Sequence, residues 1–149
     1  MNKIKASFLV AVMAFAVNAF SQTSTDFKAK EIYDMLGMDP GYCIAKLKAK
    51  GFVYSNTVDD GNVYTMNGNQ VILNYQAKET SVNVIVYGTM DYKFLSSLRV
   101  FLQVGFYRAK DDNIEAWENA KGTKKIFIRE KSNSEDQTQY LIAFKNVDR

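Results

Sequence analysis

The chain has 149 residues, of which 47% are hydrophobic and 23% are charged, with 19 basic residues against 16 acidic ones. It contains no histidine and one cysteine. This composition excludes Ser-His and Cys-His nucleophile pairs, imidazole-bound metal and an internal disulfide. The apolar content is sufficient for one core in a domain of this size.

The first residues show the three parts of a secretory signal peptide in order. Lys3 and Lys5 give a positively charged start, an unbroken apolar run covers residues 8–17, and small residues stand at Ala19 and Ser21. The run is shorter than the roughly 20 residues that a membrane-spanning helix requires. We therefore predict cleavage after Ala19 or, preferably, after Ser21. The mature chain is expected in the periplasm or the cell exterior, without stable membrane insertion.

The predicted mature chain, residues 22–149, is nearly neutral. Removal of residues 1–21 deletes two lysines and no acidic residue, which leaves 17 basic and 16 acidic residues. This balance argues against nucleic acid binding, which usually requires a dense basic patch. The only cysteine, Cys43, is not at the cleavage position, so no lipid anchor is expected. Cys43 lies in an apolar helical stretch and is interpreted as a small buried hydrophobic residue.

Two short predicted helices open the mature chain, and four predicted strands follow them. The first helix covers residues 27–36. Asp39 is placed to cap the second helix, and Gly51 is placed to terminate it. Asp59 and Asp60 lie in a turn that favours a hairpin between the first two strands. The predicted strands are residues 52–56, 62–66, 71–75 and 82–87, which together form an antiparallel meander.

The second half of the chain shows a similar order of elements. Thr89 or Asp91 is placed to cap a helix with one apolar stripe, and the strands predicted after it are residues 106–109, 114–119, 124–130 and 138–145. A constant offset of 54 residues maps Gly51 onto Gly105 and Ile72 onto Ile126. We therefore predict one α+β domain built from two tandem repeats, residues 27–88 and 89–147. Their helices are expected on one face of a curved antiparallel sheet.

The segment Leu36-Gly37-Met38-Asp39-Pro40, and Leu47 followed by Gly51-Phe52, carry a resemblance to a known family. They look like the entry to and the exit from the second helix in the tandem-repeat fold of the β-lactamase inhibitor protein (BLIP-like). The half-repeat of this fold also occurs in small outer-membrane assembly lipoproteins of the SmpA/OmlA type. The resemblance covers roughly residues 27–144. It implies that the exposed face of a curved sheet, together with hairpin loops, grips another protein.

Paired carboxylates are the remaining candidates for chemistry. Asp59 with Asp60, and Asp111 with Asp112, are interpreted as turn residues. Glu115 and Glu118 could in principle face one glycosidic bond, but their setting is an ordinary strand. The sequence has no phosphate-binding glycine loop, clustered-cysteine zinc site or nucleophile elbow. We therefore expect no enzymatic activity, cofactor or metal.

Aromatic residues in the predicted strands are the strongest binding signal, because tyrosine and tryptophan concentrate in protein interfaces. Strand alternation places Val71 and Leu73 on one face and Ile72 on the other. We group Ile85 and Tyr87 with Ile72 as a candidate open face, opposite Val84 and Val86. The partner-binding candidates are Trp117, Tyr64, Tyr54, Tyr87, Asp59 and Asp60. A core role for each aromatic residue is the alternative that the sequence leaves open.

These observations predict a non-catalytic protein-binding or inhibitory module with a protein partner outside the cytoplasm. Two alternatives stay open. One is a structural or assembly component of the cell envelope. The other is a carbohydrate-binding protein in which Trp117 serves as a stacking platform.

Overall fold

The computed structural model describes residues 27–59, 61–75, 80–110, 114–132 and 135–147. The predicted signal peptide and both predicted cleavage positions lie outside these ranges. Within them, no helix combines the length and the apolar character needed to cross a membrane.

Three helices begin and end close to the predicted positions: α1 (Ala29–Met35), α2 (Pro40–Ala49) and α3 (Tyr92–Leu102). The Asp39 carboxylate accepts a hydrogen bond of 2.8 Å from the backbone N–H of Tyr42. Asp91 accepts one of 2.9 Å from the backbone N–H of Lys93. Both contacts satisfy N–H groups in the first turn of a helix that have no partner within it. The predicted cap at Asp39 is confirmed, and of the two candidates Thr89 and Asp91 it is Asp91 that caps α3.

Eight strands form one antiparallel sheet in the order β1-β2-β3-β4-β8-β7-β6-β5. Each half of the chain contributes four consecutive strands, and the halves meet where β4 pairs with β8. β1 and β5 are the edges. The predicted α+β class is confirmed. The strands are β1 (Val53–Val58), β2 (Gly61–Met66), β3 (Asn69–Asn74), β4 (Val84–Thr89), β5 (Phe106–Ala109), β6 (Glu115–Asn119), β7 (Lys124–Ser132) and β8 (Thr138–Asn146).

The buried apolar residues fall into two clusters. The larger cluster joins residues of all three helices, such as Ile32, Leu47 and Leu98, to strand residues such as Leu73 and Phe144. The smaller cluster contains strand residues only: Val63, Ile72, Val86, Ala116, Phe127, Leu141 and Ala143. Neighbouring side chains along a strand point to opposite sides of a sheet. Leu73 and Ile72 therefore belong to different clusters.

The predicted division of strand β4 between the two faces is wrong. Ile85 and Tyr87 belong to the larger cluster with the helix residues, and Val86 belongs to the smaller one with Ile72. The pairing register explains this result, because Ile72 lies opposite Val86 and Val71 lies opposite Tyr87. Alternation within one strand shows which residues share a face. Only the register shows which face they share with the next strand.

The offset of 54 residues between the halves holds at the helix ends but not in the strands. Gly51 and Gly105 both have positive φ angles, 94° and 103°, as expected for residues that terminate a helix. Ile72 and Ile126, however, lie in different clusters. Side chains alternate between the two faces along each strand, so two positions that are 54 residues apart share a face only if the alternation in their two strands is in step. The offset is therefore out of phase in β3 and β7.

Cys43 is fully buried in the larger cluster, as predicted. Its Sγ lies 3.4 Å from the backbone carbonyl oxygen of Met35, to which it donates. Burial, followed by the negative charge of Asp39, raises the pKa of the thiol to about 11. Cys43 is thus a packing residue that links α1 and α2.

Candidate functional site

The three tyrosines predicted to contact a partner differ in solvent exposure. Tyr54 on the edge strand β1 is 55% exposed. Tyr64 is buried beneath it, with the two ring centroids 5.9 Å apart in an edge-to-face arrangement. Tyr87 is fully buried and packs against Phe27 and Phe94. Tyr64 and Tyr87 are core residues, and of these three only Tyr54 presents its ring to solvent.

The hairpin of β1 and β2 presents a chain of hydrogen-bonded side chains that the sequence did not reveal. The Tyr54 hydroxyl lies 2.9 Å from Oγ1 of Thr57, which donates to the Asn62 side-chain oxygen at 2.9 Å. The Asn62 amide in turn donates to the Tyr75 hydroxyl at 2.8 Å. Asp59 is an exposed turn residue with a φ of 43°, and Asp60 lies outside the described ranges. These bonds fix the exposed Tyr54 ring on the hairpin.

Trp117 is partly buried against the larger cluster and has two close polar neighbours. Its indole N–H donates to Glu115 at 2.9 Å. The Arg108 guanidinium lies 5.4 Å from the centroid of its ring, within the range of a cation–π contact. Trp117 therefore lies on the side of the sheet that carries the larger cluster, where these contacts hold its ring.

Glu115 is the centre of an ion-pair network between α3 and the edge of the sheet. Arg99 of α3 donates to its carboxylate at 2.7 Å and 3.3 Å, and Arg108 lies at 3.2 Å. Burial by itself raises the pKa of Glu115, but hydrogen bonds from Arg99 and Trp117 and the positive charges outweigh it. The net pKa lies below the ordinary value. A carboxylate held in its charged form suits an anchor for α3 better than a proton donor.

The smaller cluster defines a layer of side chains that we call the second face, on the side of the sheet opposite the larger cluster. Its seven members lie on six adjacent strands, from β2 to β6. None of them is more than 8% exposed. Val58, Val84, Ala109 and Ile114 extend this surface as partly buried neighbours. The second face is therefore a continuous apolar surface with no helix residue among its described members.

Two lysines lie side by side at one end of the second face. Lys125 of β7 is directly opposite Lys145 of β8, and Lys145 is opposite Val84 of β4. Lys125 lies 3.6 Å from the Glu118 carboxylate, whereas no ion pair is recorded for Lys145 among the described residues. Burial first, and the positive charge of Lys125 second, lower the pKa of Lys145. Like charges directly opposite one another destabilise a sheet, so an acidic group bound here would be favourable.

In the part of the chain that the structure describes, no group of three or more cysteine or acidic side chains is arranged to hold a metal ion. No family model matches this chain, and no curated protein and no solved structure matches it either. The resemblance to the BLIP-like fold therefore stays a prediction from the sequence.

Proposed function

We propose that the chain is an exported, non-catalytic protein-binding module whose second face is the binding surface. The observation that carries this proposal is the apolar cluster of strand residues without helix members. An antiparallel sheet that packs one face on helices commonly turns a polar face to water. The seven members of the second face are at most 8% exposed, so a partner would contact this apolar layer at its partly buried margin of Val58, Val84, Ala109 and Ile114.

The proposal includes the finer architecture, with all helices on one side of the sheet and the two halves as tandem repeats. Two observations support it. Buried residues of all three described helices belong to the same cluster. Each half is a four-strand meander, and the last strands of the two meanders pair with one another. In this arrangement the second face crosses the junction of the halves, and one partner would contact both.

The charged end of the second face defines the chemistry of the partner. Lys125 and Lys145 lie next to each other, and Val84 beside Lys145 belongs to the margin of the apolar cluster. A partner that inserts apolar side chains and places a carboxylate at Lys145 would satisfy both features. Such a charge-assisted contact would add specificity to the burial of apolar surface.

The test is capture of envelope and secreted proteins on the immobilised chain, with a matched pair of substitutions. Val84→Asp places a charge at the margin of the second face, whereas Val104→Asp makes the same change at a residue that is 80% exposed after α3. We expect a specific partner to be lost with Val84→Asp and kept with Val104→Asp. Lys145→Gln should weaken binding of the same partner. Equal retention by all three variants would contradict the proposal.

Trp117 offers no support for the carbohydrate-binding alternative. Arg108 lies against its ring, and Glu115 accepts a hydrogen bond from its indole N–H. A stacking platform requires a free aromatic face. We therefore base no second proposal on this residue.

A further inference from the structure

Strand β1 is an edge of the sheet and its outer side is open. Among the described strands it pairs with β2 alone, and five of its six residues are exposed. An edge strand presents unpaired backbone N–H and C=O groups, which proteins commonly protect with a charged residue or a proline. β1 contains neither. The other edge, β5, has four residues and carries Arg108, whose side chain is 60% exposed. Of the two edges, β1 is therefore the one suited to accept a further strand.

An irregularity in β1 changes the usual alternation of its side chains. The pairing register with β2 skips one residue between Tyr54 and Asn56. Tyr54 lies opposite Tyr64 of the larger cluster, and its hydroxyl contacts Oγ1 of Thr57 at 2.9 Å. Tyr54 and Thr57 therefore share the side of the sheet that carries the larger cluster, although they are three residues apart.

The two ends of β1 share the opposite side. Val58 packs against the smaller cluster. Val53 lies opposite Thr65, which is two residues from Val63 of the same cluster and so has the same orientation. Counted inward from either end, the side chains of β1 thus follow the same order of faces. Such a strand is self-complementary.

We propose that β1 pairs antiparallel with β1 of a second copy of this chain, in a register that places Val53 opposite Val58 and Tyr54 opposite Thr57. Side chains directly opposite one another in an antiparallel pair lie on the same side of the sheet. This register meets that requirement at both pairs, and two-fold symmetry repeats each pair. Each copy brings its extra residue at the same distance from the axis, so the strands stay in step on both sides of it. The inference concerns the β1 edge and does not depend on the proposed function of the second face.

The charges next to β1 favour the same register. Extended by one residue, it places the exposed turn residue Asp59 opposite Phe52 of the second copy. Phe52 follows the end of α2, whose last turn carries Lys46 and Lys48. Lys48 is exposed, and no ion pair is recorded for it among the described residues. The two-fold arrangement therefore directs an acidic turn towards a basic helix end at both ends of the strand pair.

The first test is sedimentation equilibrium of the purified chain over a series of concentrations. The strand contributes six residues from each copy, which makes a small interface. We therefore expect a dimer with a dissociation constant of about 10–100 µM. Ser55→Lys places a positive charge at the centre of the edge in both copies and should raise this constant at least about tenfold. Ser96→Lys, at an exposed position of α3, is the matched control and should leave the constant unchanged. A chain that stays monomeric up to about 1 mM, or equal constants for the two variants, would overturn the inference.

A second test examines the register by disulfide crosslinking. Val53→Cys and Val58→Cys chains are oxidised separately and as a mixture. The mixture should give at least about five times more disulfide-linked dimer than either chain alone, because only the unlike positions lie opposite one another. Cys43 is buried, with a pKa of about 11, and does not compete. Crosslinking of Val53→Cys with itself as readily as with Val58→Cys would contradict the register.

A different occupant of this edge would be an extended strand of another protein. In that case the chain would stay monomeric at all concentrations, and Ser55→Lys would abolish capture of an envelope or secreted protein that Ser96→Lys retains. That result would overturn the self-pairing.

Discussion

Replacement of Glu115 by glutamine tests whether the ion-pair network anchors α3 to the sheet. Glutamine keeps the volume and one acceptor oxygen, but it loses the charge that holds Arg99 and Arg108. Hydrogen bonds to charged groups contribute about 1.5–3 kcal/mol, against about 0.5–1.5 kcal/mol for neutral ones. The Arg99 side chain is 36% exposed and that of Arg108 is 60% exposed, so solvent screens both contacts. We therefore expect Glu115→Gln to lower the free energy of unfolding by about 1–2 kcal/mol.

Urea unfolding measures this loss, with circular dichroism as the signal because Glu115 contacts the only tryptophan, Trp117. The midpoint should fall by about 0.5–1 M. Glu118→Gln is the matched control on the same strand. Glu118 lies 3.6 Å from Lys125, with both side chains more than one third exposed. Glu118→Gln should therefore lower the free energy of unfolding by less than about 0.5 kcal/mol. The anchoring argument is refuted if Glu115→Gln costs no more than Glu118→Gln.

Three further predictions follow from burial and charge. Because the folded-state pKa of Glu115 is depressed, its stabilisation is present above the unfolded pKa and is lost as pH falls through the folded pKa. The difference in stability between wild type and Glu115→Gln should therefore begin to shrink as pH falls below about 4.3, the ordinary pKa of glutamate. A constant difference down to pH 2 would be inconsistent with this. Cys43, with a pKa of about 11, should react with a disulfide reagent at pH 8 at least about 100-fold more slowly than a free thiol until the chain unfolds. Tyr87→Ala should lower the free energy of unfolding by about 3–5 kcal/mol, whereas Tyr54→Ala should change it by less than about 1 kcal/mol. Similar losses of stability for the two variants in thermal melts would contradict the different burial of the two residues.

The candidate site was predicted only in part. The sequence indicated that aromatic strand residues and one face of the sheet were important. It could not show that Tyr64 and Tyr87 lie in the core while Tyr54 is exposed. Register decides the face of Tyr87, because a one-residue change in register moves every side chain of a strand to the opposite face. Tyr54 and Tyr64 are paired on the same face, and Tyr54 is the exposed one because β1 is an edge strand. Lys125 and Lys145 were missed for the same reason, since only the register places them opposite one another.

The sequence by itself determined the local structure of this protein. Asp39 and Asp91 mark helix starts, Gly51 marks a helix end, and alternating strand residues between turns predict the eight strands, because hydrogen bonding and backbone conformation act over a few residues. Only the tertiary structure decided that β4 meets β8, and that a second apolar cluster forms opposite the helix-containing one. These features depend on contacts between residues far apart in the chain, whose pairing no local pattern specifies.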